Sequence, residues 1–189
     1  MATNPPAKTR VTIEEFQALP ESHYSPELIN GELVMSPAPI FIHQHMVAKF
    51  HILLAAQAKQ GLAVLSPSDV YIDGVNVMQP DLFWIHNEKG TCVHREGYWH
   101  GAPDLAIEVL SPATEKLDRG AKFKIYQESG VREYWIADPR ARFIEVFLLA
   151  GDKFVQQGLY AEGQSFASPV LEGLLVEVDP LLPATVEDK

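Results

Sequence analysis

The segment from Pro103 to Leu110, "PDLAIEVL", constrains the fold more than any other stretch of the chain. Its nearly continuous apolar character is typical of a strand that is buried on both faces of a sheet. An ionised glutamate amid such neighbours costs several kcal/mol unless a cation or hydrogen bonds compensate it. The segment therefore predicts a buried strand whose glutamate serves a purpose other than stability. Since side chains alternate along a strand, its two faces carry Asp104, Ala106, Glu108 and Leu110 on one side, and Leu105, Ile107 and Val109 on the other.

Charged residues flank this strand on both sides in the sequence. The segment "QPDLFWI" predicts a second buried strand with Asp81 at its start. The segment "LDRGAKFKIYQ" predicts a helix in which Asp118 and Lys122 lie one turn apart, beside the apolar face. An ordinary ion pair between helix positions i and i+4 accounts for these two residues if they are taken alone. Beside a strand with a buried glutamate, Lys122 is also a candidate to orient a nucleophilic water or to stabilise developing charge.

Asp81 and Glu108 together indicate a site for a divalent cation. Acids at the ends of neighbouring strands can share a Mg²⁺ ion, which takes few carboxylates and keeps several waters. Such an ion polarises a scissile phosphate and lowers the pKa of an attacking water. The sequence therefore favours a metal-dependent phosphodiesterase that uses Mg²⁺, with Mn²⁺ as an ion that can replace it.

Three further polar residues are candidates for the site, although an ordinary structural role would also explain each of them. Glu27 and Glu32 flank the turn of a predicted hairpin, where a glutamate is as often a solvated strand residue as a ligand. His43 opens a predicted helix together with His45, and polar residues at a helix entry need no further role. We expect His43 to reach a site only if that site lies at this end of the helix.

The remaining segments predict a mixed α/β fold. Residues 12–19 predict a short helix capped by Thr12, and Asn30-Gly31 predicts the hairpin turn. A long amphipathic helix begins near His43, with Gly61 as its expected end. Residues 75–86 predict one strand, 88–101 a loop, and 131–160 an antiparallel meander. These elements together indicate a central mixed sheet flanked by helices, with an N-terminal helix and hairpin and a C-terminal antiparallel meander.

Length and charge limit the classes that fit. The 189 residues suit a flexible arm over 1–10 and a single domain over 11–189. The net charge of -10 argues against a protein whose whole surface binds nucleic acid, although a local basic patch would suffice. The lone Cys92 excludes an internal disulfide and favours a reduced, cytoplasmic location. No apolar segment approaches the roughly 20 residues of a membrane span.

Six segments resemble, in sequence and in order, the Uma family of putative restriction endonucleases. That family is a bacterial branch of the PD-(D/E)XK nuclease superfamily. The resemblance implies a restriction-endonuclease-like α/β fold and Mg²⁺-dependent cleavage of DNA phosphodiester bonds. It spans nearly the whole chain, from Thr12 to Pro183, in "PELINGELVMSPAP", "HQHMVAKF", "QPDLFWI", "APDLAIEVLSPAT", "DRGAKFKIYQESGVREYWIADP" and "VFLLAGDKF".

The same resemblance assigns roles to individual residues. Asp81 and Glu108 match the two acids of the superfamily, which hold the metal ion. The superfamily pattern places a lysine two positions after the second acid, where this chain has Leu110. The resemblance implies that Lys122 takes over this role from the next helix, and that Glu27 or Glu32 is an outer acidic ligand. The second-rank candidates are Gln79, Asp104, Asp118 and His43.

The sequence leaves two main hypotheses about function. The first is a Mg²⁺-dependent DNA endonuclease; if it acts on duplex DNA, a homodimer would place one site on each strand, but the sequence does not decide between single- and double-stranded substrates. The second is a protein of the same fold that is not catalytic and acts as a DNA-associated or protein-interaction module. A hydrolase of small phosphoesters has little support, because no phosphate-binding glycine loop or histidine-rich ligand set is present. The candidate DNA contacts are Arg119, Lys124, Arg132, Arg140 and Arg142.

Overall fold

The computed structural model describes residues 10–20 and 26–183. The predicted arm over residues 1–10 lies outside the described residues, except for Arg10. None of the helices in this part of the chain combines the length and the hydropathy that a membrane span requires.

The helices are short, apart from one that packs along a sheet. They are α1 (Ile13–Gln17), α2 (Phe41–Gln57), α3 (Glu115–Leu117) and α4 (Phe123–Ser129). A π-helical stretch, Asp118–Lys122, joins α3 to α4 and is called the π segment below. A single 3-10 turn, Asp179–Leu181, follows the last strand.

Fourteen strands are present in the described residues. Their bounds are β1 Pro26–Ile29, β2 Glu32–Met35, β3 Gly61–Leu65, β4 Val70–Tyr71, β5 Val77–Met78, β6 Leu82–His86, β7 Val93–Arg95, β8 Tyr98–His100, β9 Leu105–Val109, β10 Glu133–Asp138, β11 Phe143–Ala150, β12 Lys153–Ala161, β13 Ser165–Ser168 and β14 Leu174–Glu177.

The strands form two six-stranded sheets and a ribbon of two strands. The first sheet has the order β2-β1-β5-β4-β8-β7, and the second has the order β12-β11-β10-β9-β6-β3. In the second sheet β9 and β10 run parallel, whereas the other neighbours run antiparallel. This second sheet is the predicted central mixed sheet. The prediction did not foresee that the N-terminal hairpin belongs to a separate sheet.

Strand β9 lies within the second sheet and packs against a different core on each face. Leu105, Ile107 and Val109 belong to a cluster with apolar side chains of α2 and of the β13-β14 ribbon. Ala106 and Leu110 belong to another cluster with side chains of α4. The predicted alternation is therefore confirmed, and Glu108 lies on the face that α4 covers.

Several local predictions are confirmed by backbone geometry. Thr12 caps α1 through a capping box with Glu15. Asn30 and Gly31 have φ angles of 53° and 76°, as a hairpin turn with two left-handed residues requires. The meander is present as β10, β11 and β12, which pair antiparallel in sequence order.

The prediction of a loop over 88–101 is wrong. Residues in this range form the hairpin of β7 and β8, with Glu96 and Gly97 at its turn and φ angles of 53° and 87°. Three-residue strands are too short to show a periodic pattern, and a glutamate is an uncommon residue at a positive φ. The sequence therefore lacked the usual hairpin signal.

Two predicted boundaries also differ from the structure. Residues 75–86 form two strands in two sheets, β5 and β6, which are separated by Gln79, Pro80 and Asp81. Proline lacks the N–H that a continuing ladder needs, so the strand breaks where the chain changes sheets. Gly61 does not end α2 but begins β3, where a Cβ atom would overlap the Ile85 carbonyl and the Trp84 ring.

Candidate active site

A cleft of about 590 Å³ is lined by residues from both sheets, α2 and the π segment. Four carboxylates line it, and we call it the acid cleft. They come from separate parts of the fold: Glu27 from β1, Asp81 from the break before β6, Glu108 from β9 and Asp118 from the π segment. The fold thus gathers the predicted strand acids in one place, together with Lys122.

Lys122 lies at the centre of the carboxylates. Its Nζ atom is 3.0 Å from Glu27 Oε1, 3.0 Å from Glu108 Oε1 and 3.7 Å from Asp118 Oδ1. The π segment turns both Asp118 and Lys122 inward, and such rare turns frequently occur at functional sites. Three buried acids therefore share one ammonium group.

Glu108 is held by two donors on the same oxygen. The Tyr126 hydroxyl donates to Glu108 Oε1 at 2.7 Å, and Lys122 Nζ donates to this atom at 3.0 Å. Within the described residues, the hydrogen bonds of this carboxylate fall on Oε1, which leaves Oε2 for another ligand. Tyr126 was not among the site residues predicted from the sequence. The available signal was its position one helical turn after Lys122.

Asp81 is the most accessible of the four acids. Its side chain is 21% exposed, whereas that of Glu108 is 3% exposed. Asp81 Oδ2 accepts a hydrogen bond from the backbone N–H of Val109 at 2.8 Å and lies 3.1 Å from His43 Nε2. These contacts join the end of β9, the start of β6 and the first turn of α2.

Glu27 is positioned by the strand break. Its Oε1 accepts a hydrogen bond from the backbone N–H of Gln79 at 2.7 Å, and the Gln79 side chain donates to Asp69 Oδ1 at 2.6 Å. Glu32 faces Ile29 at the turn end of the hairpin and is not among the residues that line the acid cleft. Of the two predicted glutamates, the structure brings Glu27 to the cluster.

Burial and charge together shift the proton affinities of the cluster. Burial raises the pKa of Asp118 from 3.8 to about 6, against the influence of Lys122. Burial likewise raises the pKa of Glu108 well above its usual range. Burial alone would lower the pKa of Lys122, but the surrounding carboxylates outweigh it and raise that pKa. Four carboxylates therefore face one ammonium group, and two of them, Glu108 and Asp118, bind protons more tightly than exposed acids do.

Asp104 lies at the other end of β9 and does not line the acid cleft. Its Oδ2 accepts a hydrogen bond from the backbone N–H of His86 at 2.7 Å, and its Oδ1 pairs with Arg132 Nη2 at 2.7 Å. Four residues of extended strand cover roughly 13 Å, so Asp104 is remote from Glu108. These partners give Asp104 a structural role.

The basic residues predicted as DNA contacts all pair with carboxylates. None of them is among the described residues that line the acid cleft. Arg132 belongs to the Asp104 pair, and its guanidinium is thus engaged at the opposite end of β9. The other pairs are Arg119 with Glu115 and Glu145, Lys124 with Glu128, Arg140 with Glu115, and Arg142 with Glu162.

The donor set of the acid cleft suits a hard divalent cation. Over residues 10–20 and 26–183, no group of three or more His, Cys, Asp or Glu side chains has the spacing of a metal site. Mg²⁺ needs only one or two carboxylates, because waters and substrate phosphates complete its shell. Asp81 and Glu108 are two such carboxylates, and Glu108 keeps an oxygen without a protein donor among the described residues. The residues present therefore fit Mg²⁺ in number and in chemistry.

Known proteins give two comparisons for this chain. A solved structure that resembles it is a putative nuclease of the DUF820 family from Anabaena variabilis ATCC 29413, with 20% sequence identity and a TM-score of 0.75. The match covers 90% of this chain and 97% of that chain, and it confirms the predicted fold class. No curated protein matches the chain. The model of the Uma2 family, described as putative restriction endonuclease, matches residues 13–179, so the chain belongs to this family.

Proposed function

We propose that the protein is a Mg²⁺-dependent DNA endonuclease that hydrolyses phosphodiester bonds in the acid cleft. The observation that carries this proposal is the convergence of Glu27, Asp81, Glu108 and Asp118 around Lys122. A buried cluster with excess negative charge costs stability, and perturbed proton affinities of this kind concentrate at functional sites. Membership of a nuclease family agrees with this chemistry.

Asp81 and Glu108 are the residues that would hold the cation, and Glu27 is the better placed of the two outer glutamates. When bound, Mg²⁺ polarises the phosphodiester and lowers the pKa of a coordinated water. Glu108 can offer Oε2 to the cation because Lys122 and Tyr126 both donate to Oε1. Asp81 is held towards the cleft by the N–H of Val109.

Lys122 would act on the nucleophile and on the charge that develops at the phosphate. Leu110, at the position of the superfamily lysine, is buried in the core and offers no donor. Lys122 reaches Glu108 from the π segment instead, so the amine lies next to the acid as the superfamily pattern requires. Its raised pKa keeps the amine protonated, which suits electrostatic stabilisation rather than proton abstraction.

Cleavage of supercoiled plasmid in Mg²⁺ or Mn²⁺ tests this proposal. We expect nicking by the wild-type protein and loss of nicking in Asp81→Ala, Glu108→Ala and Lys122→Ala. Asp104→Asn is the matched control, because Asp104 is a buried acid that directly precedes β9 and lies outside the cleft. The Glu27→Gln and Glu32→Gln pair separates the two outer glutamates. Nicking that is unchanged in the three alanine variants would show a contaminant and end the catalytic assignment.

One observation favours the second candidate, a DNA-associated or protein-interaction module without catalysis. All five basic residues predicted to contact DNA are paired with carboxylates, in a chain of net charge -10. These five residues would have to leave their carboxylate partners in order to neutralise phosphates. A protein that binds Mg²⁺ but cleaves no nucleic acid under any of these conditions would favour this candidate.

The homodimer is a separate proposal. Two acid clefts related by a twofold axis would offer one site to each strand where a duplex is opened. Analytical ultracentrifugation over a range of protein concentrations tests it, and a monomer at all concentrations would exclude the arrangement.

A further inference from the structure

We infer that the acid cleft takes an unpaired DNA strand rather than an intact duplex. This inference rests on the proposed function and specifies its substrate class. Three features of the cleft carry it: the depth of its acids, the composition of its lining and an exposed aromatic side chain beside its mouth.

Three of the four acids of the cleft are almost completely buried. The side chains of Glu27, Glu108 and Asp118 are only 5%, 3% and 2% exposed, and Lys122 is 5% exposed. The volume of about 590 Å³ falls within the range of pockets that hold small organic groups. A phosphate must therefore descend into a small space to meet the acids. A flexible single strand can do so, whereas a stiff duplex carries its phosphates on a broad cylinder.

The lining of the cleft outside the acid cluster is largely apolar and, in the described part of the chain, carries no charged side chain. Lys122 is the one lysine or arginine among the described residues that line the cleft. Part of this lining comes from segments that contain four prolines, which have no N–H to donate, namely Pro37-Ala38-Pro39, Ser66-Pro67 and Ser111-Pro112-Ala113. Duplex binding relies on several Lys and Arg contacts to phosphates, and this lining does not supply them. Apolar surface instead suits the faces of bases that are not paired.

An exposed aromatic ring stands at the entry of α2. Ile40 lines the cleft and is 53% exposed, and Phe41, the next residue, is 66% exposed. The Phe41 ring contacts the ring of His45 at a centroid distance of 5.4 Å, which gives it a neighbour on its own helix. Stacking on an exposed aromatic side chain is the common way in which proteins bind unpaired bases without sequence preference. Phe41 does not itself line the cleft, but it follows Ile40, which does, and its exposed ring is the group that we infer to stack on a base just outside the cleft.

The experiment compares three substrates that share one sequence. They are a fluorescein-labelled DNA oligonucleotide, its blunt duplex, and that duplex with a central unpaired bubble. We expect the wild-type protein with Mg²⁺ to cleave the single strand and the bubble at least about tenfold faster than the blunt duplex. Asp81→Asn serves as the blank for contaminating nucleases.

Two variants of α2 test whether Phe41 contacts the single strand. Phe41→Ala is expected to raise KM for the single strand about tenfold, as loss of one stacking partner should. Ile52→Ala is the matched control, because Ile52 is equally exposed at 66% but lines a different groove. Alanine favours helix at both positions, so the fold should be kept. Equal cleavage of strand and duplex, or identical behaviour of the two variants, would overturn the inference.

Binding separates this inference from the proposed function. If no substrate is cleaved, the endonuclease proposal fails. Fluorescence anisotropy with the Glu108→Gln variant then measures whether the protein still prefers the single strand to the duplex. Tighter binding of the single strand than of the duplex supports the inference, and tighter binding of the duplex ends it. We also expect affinity for the strand to fall by less than about tenfold between about 50 and 200 mM salt, because few phosphates are neutralised.

Discussion

Two buried acids lie at the two ends of β9, and their carboxylates are satisfied in different ways. Asp104 and Glu108 are both nearly buried, with 5% and 2% exposure. Each oxygen of Asp104 has its own partner, His86 N–H on one and Arg132 on the other. Glu108 must share Lys122 with Glu27 and Asp118.

This difference shows that acids buried to the same extent can differ in how fully their carboxylates are satisfied by other groups of the fold. Glu133 is a third buried acid, and it accepts hydrogen bonds from Trp135 Nε1, Ser168 Oγ and the N–H of Val170. Like Asp104, it is satisfied by groups of the fold. The cluster at Glu108 is under-compensated, and a cation is the ligand that would relieve it.

The largest expected effect is on kcat, which should fall when Glu108 is changed but not when Asp104 is changed. Glu108→Gln should lower kcat about 1000-fold, comparable to the loss of a group that acts on the transition state, while stability is kept. Asp104→Asn should leave kcat within about twofold of wild type. Single-turnover cleavage of the preferred substrate, together with circular dichroism of each variant, measures both. A comparable loss of kcat in the two variants would remove the distinction.

The next effect is on the free energy of unfolding, which should depend more on Asp104 than on Glu108. Asp104→Ala leaves the buried N–H of His86 without an acceptor and Arg132 without its partner, so we expect a loss of about 3 kcal/mol in the free energy of unfolding. Arg132 is 45% exposed and can turn to solvent, which keeps the loss at the lower end for such pairs. Urea denaturation measures it. If Glu108→Gln destabilised the protein as much, the contrast between the two ends would be wrong.

A smaller effect is expected from Asp118→Asn, and it depends on pH. The folded pKa of about 6 lies above the ordinary value of 3.8, so the folded protein binds this proton more tightly than the unfolded chain. The stability from this group is therefore full below about pH 3.8 and is lost as pH rises through about 6. The variant should gain about 2 kcal/mol at pH 7 relative to wild type and nothing at the acid end.

Urea denaturation of both proteins across this pH range provides the measurement for Asp118. The gain should grow with rising pH and level off above about pH 6. A constant difference between the two proteins at all pH values would contradict the assignment of the shifted pKa to Asp118.

The smallest effect concerns a residue that acts through Asp81. His43 Nε2 lies 3.1 Å from Asp81 Oδ2, and the His43 side chain is 8% exposed. His43→Ala should weaken Mg²⁺ binding about tenfold, as expected for a residue that positions a ligand. Isothermal titration with Mg²⁺ measures this in the absence of DNA. Unchanged affinity would give His43 a structural role only.

The sequence determined the parts of this protein that depend on near neighbours. The alternation of β9, the Thr12 cap, the Asn30-Gly31 turn and the Asp118-Lys122 spacing follow from rules that act over a few residues. The apolar surroundings of Glu108 in the sequence were enough to identify it as a buried acid.

Only the tertiary structure decided which charged groups meet. It brought Glu27 rather than Glu32 to Lys122, placed Asp104 with Arg132, and inserted the π turn that aims Lys122 inward. The physical reason is that compensation of a buried charge depends on partners distant in the sequence, and local patterns contain no information about them. A strand acid can therefore be found from sequence, but its partners must be found from the fold.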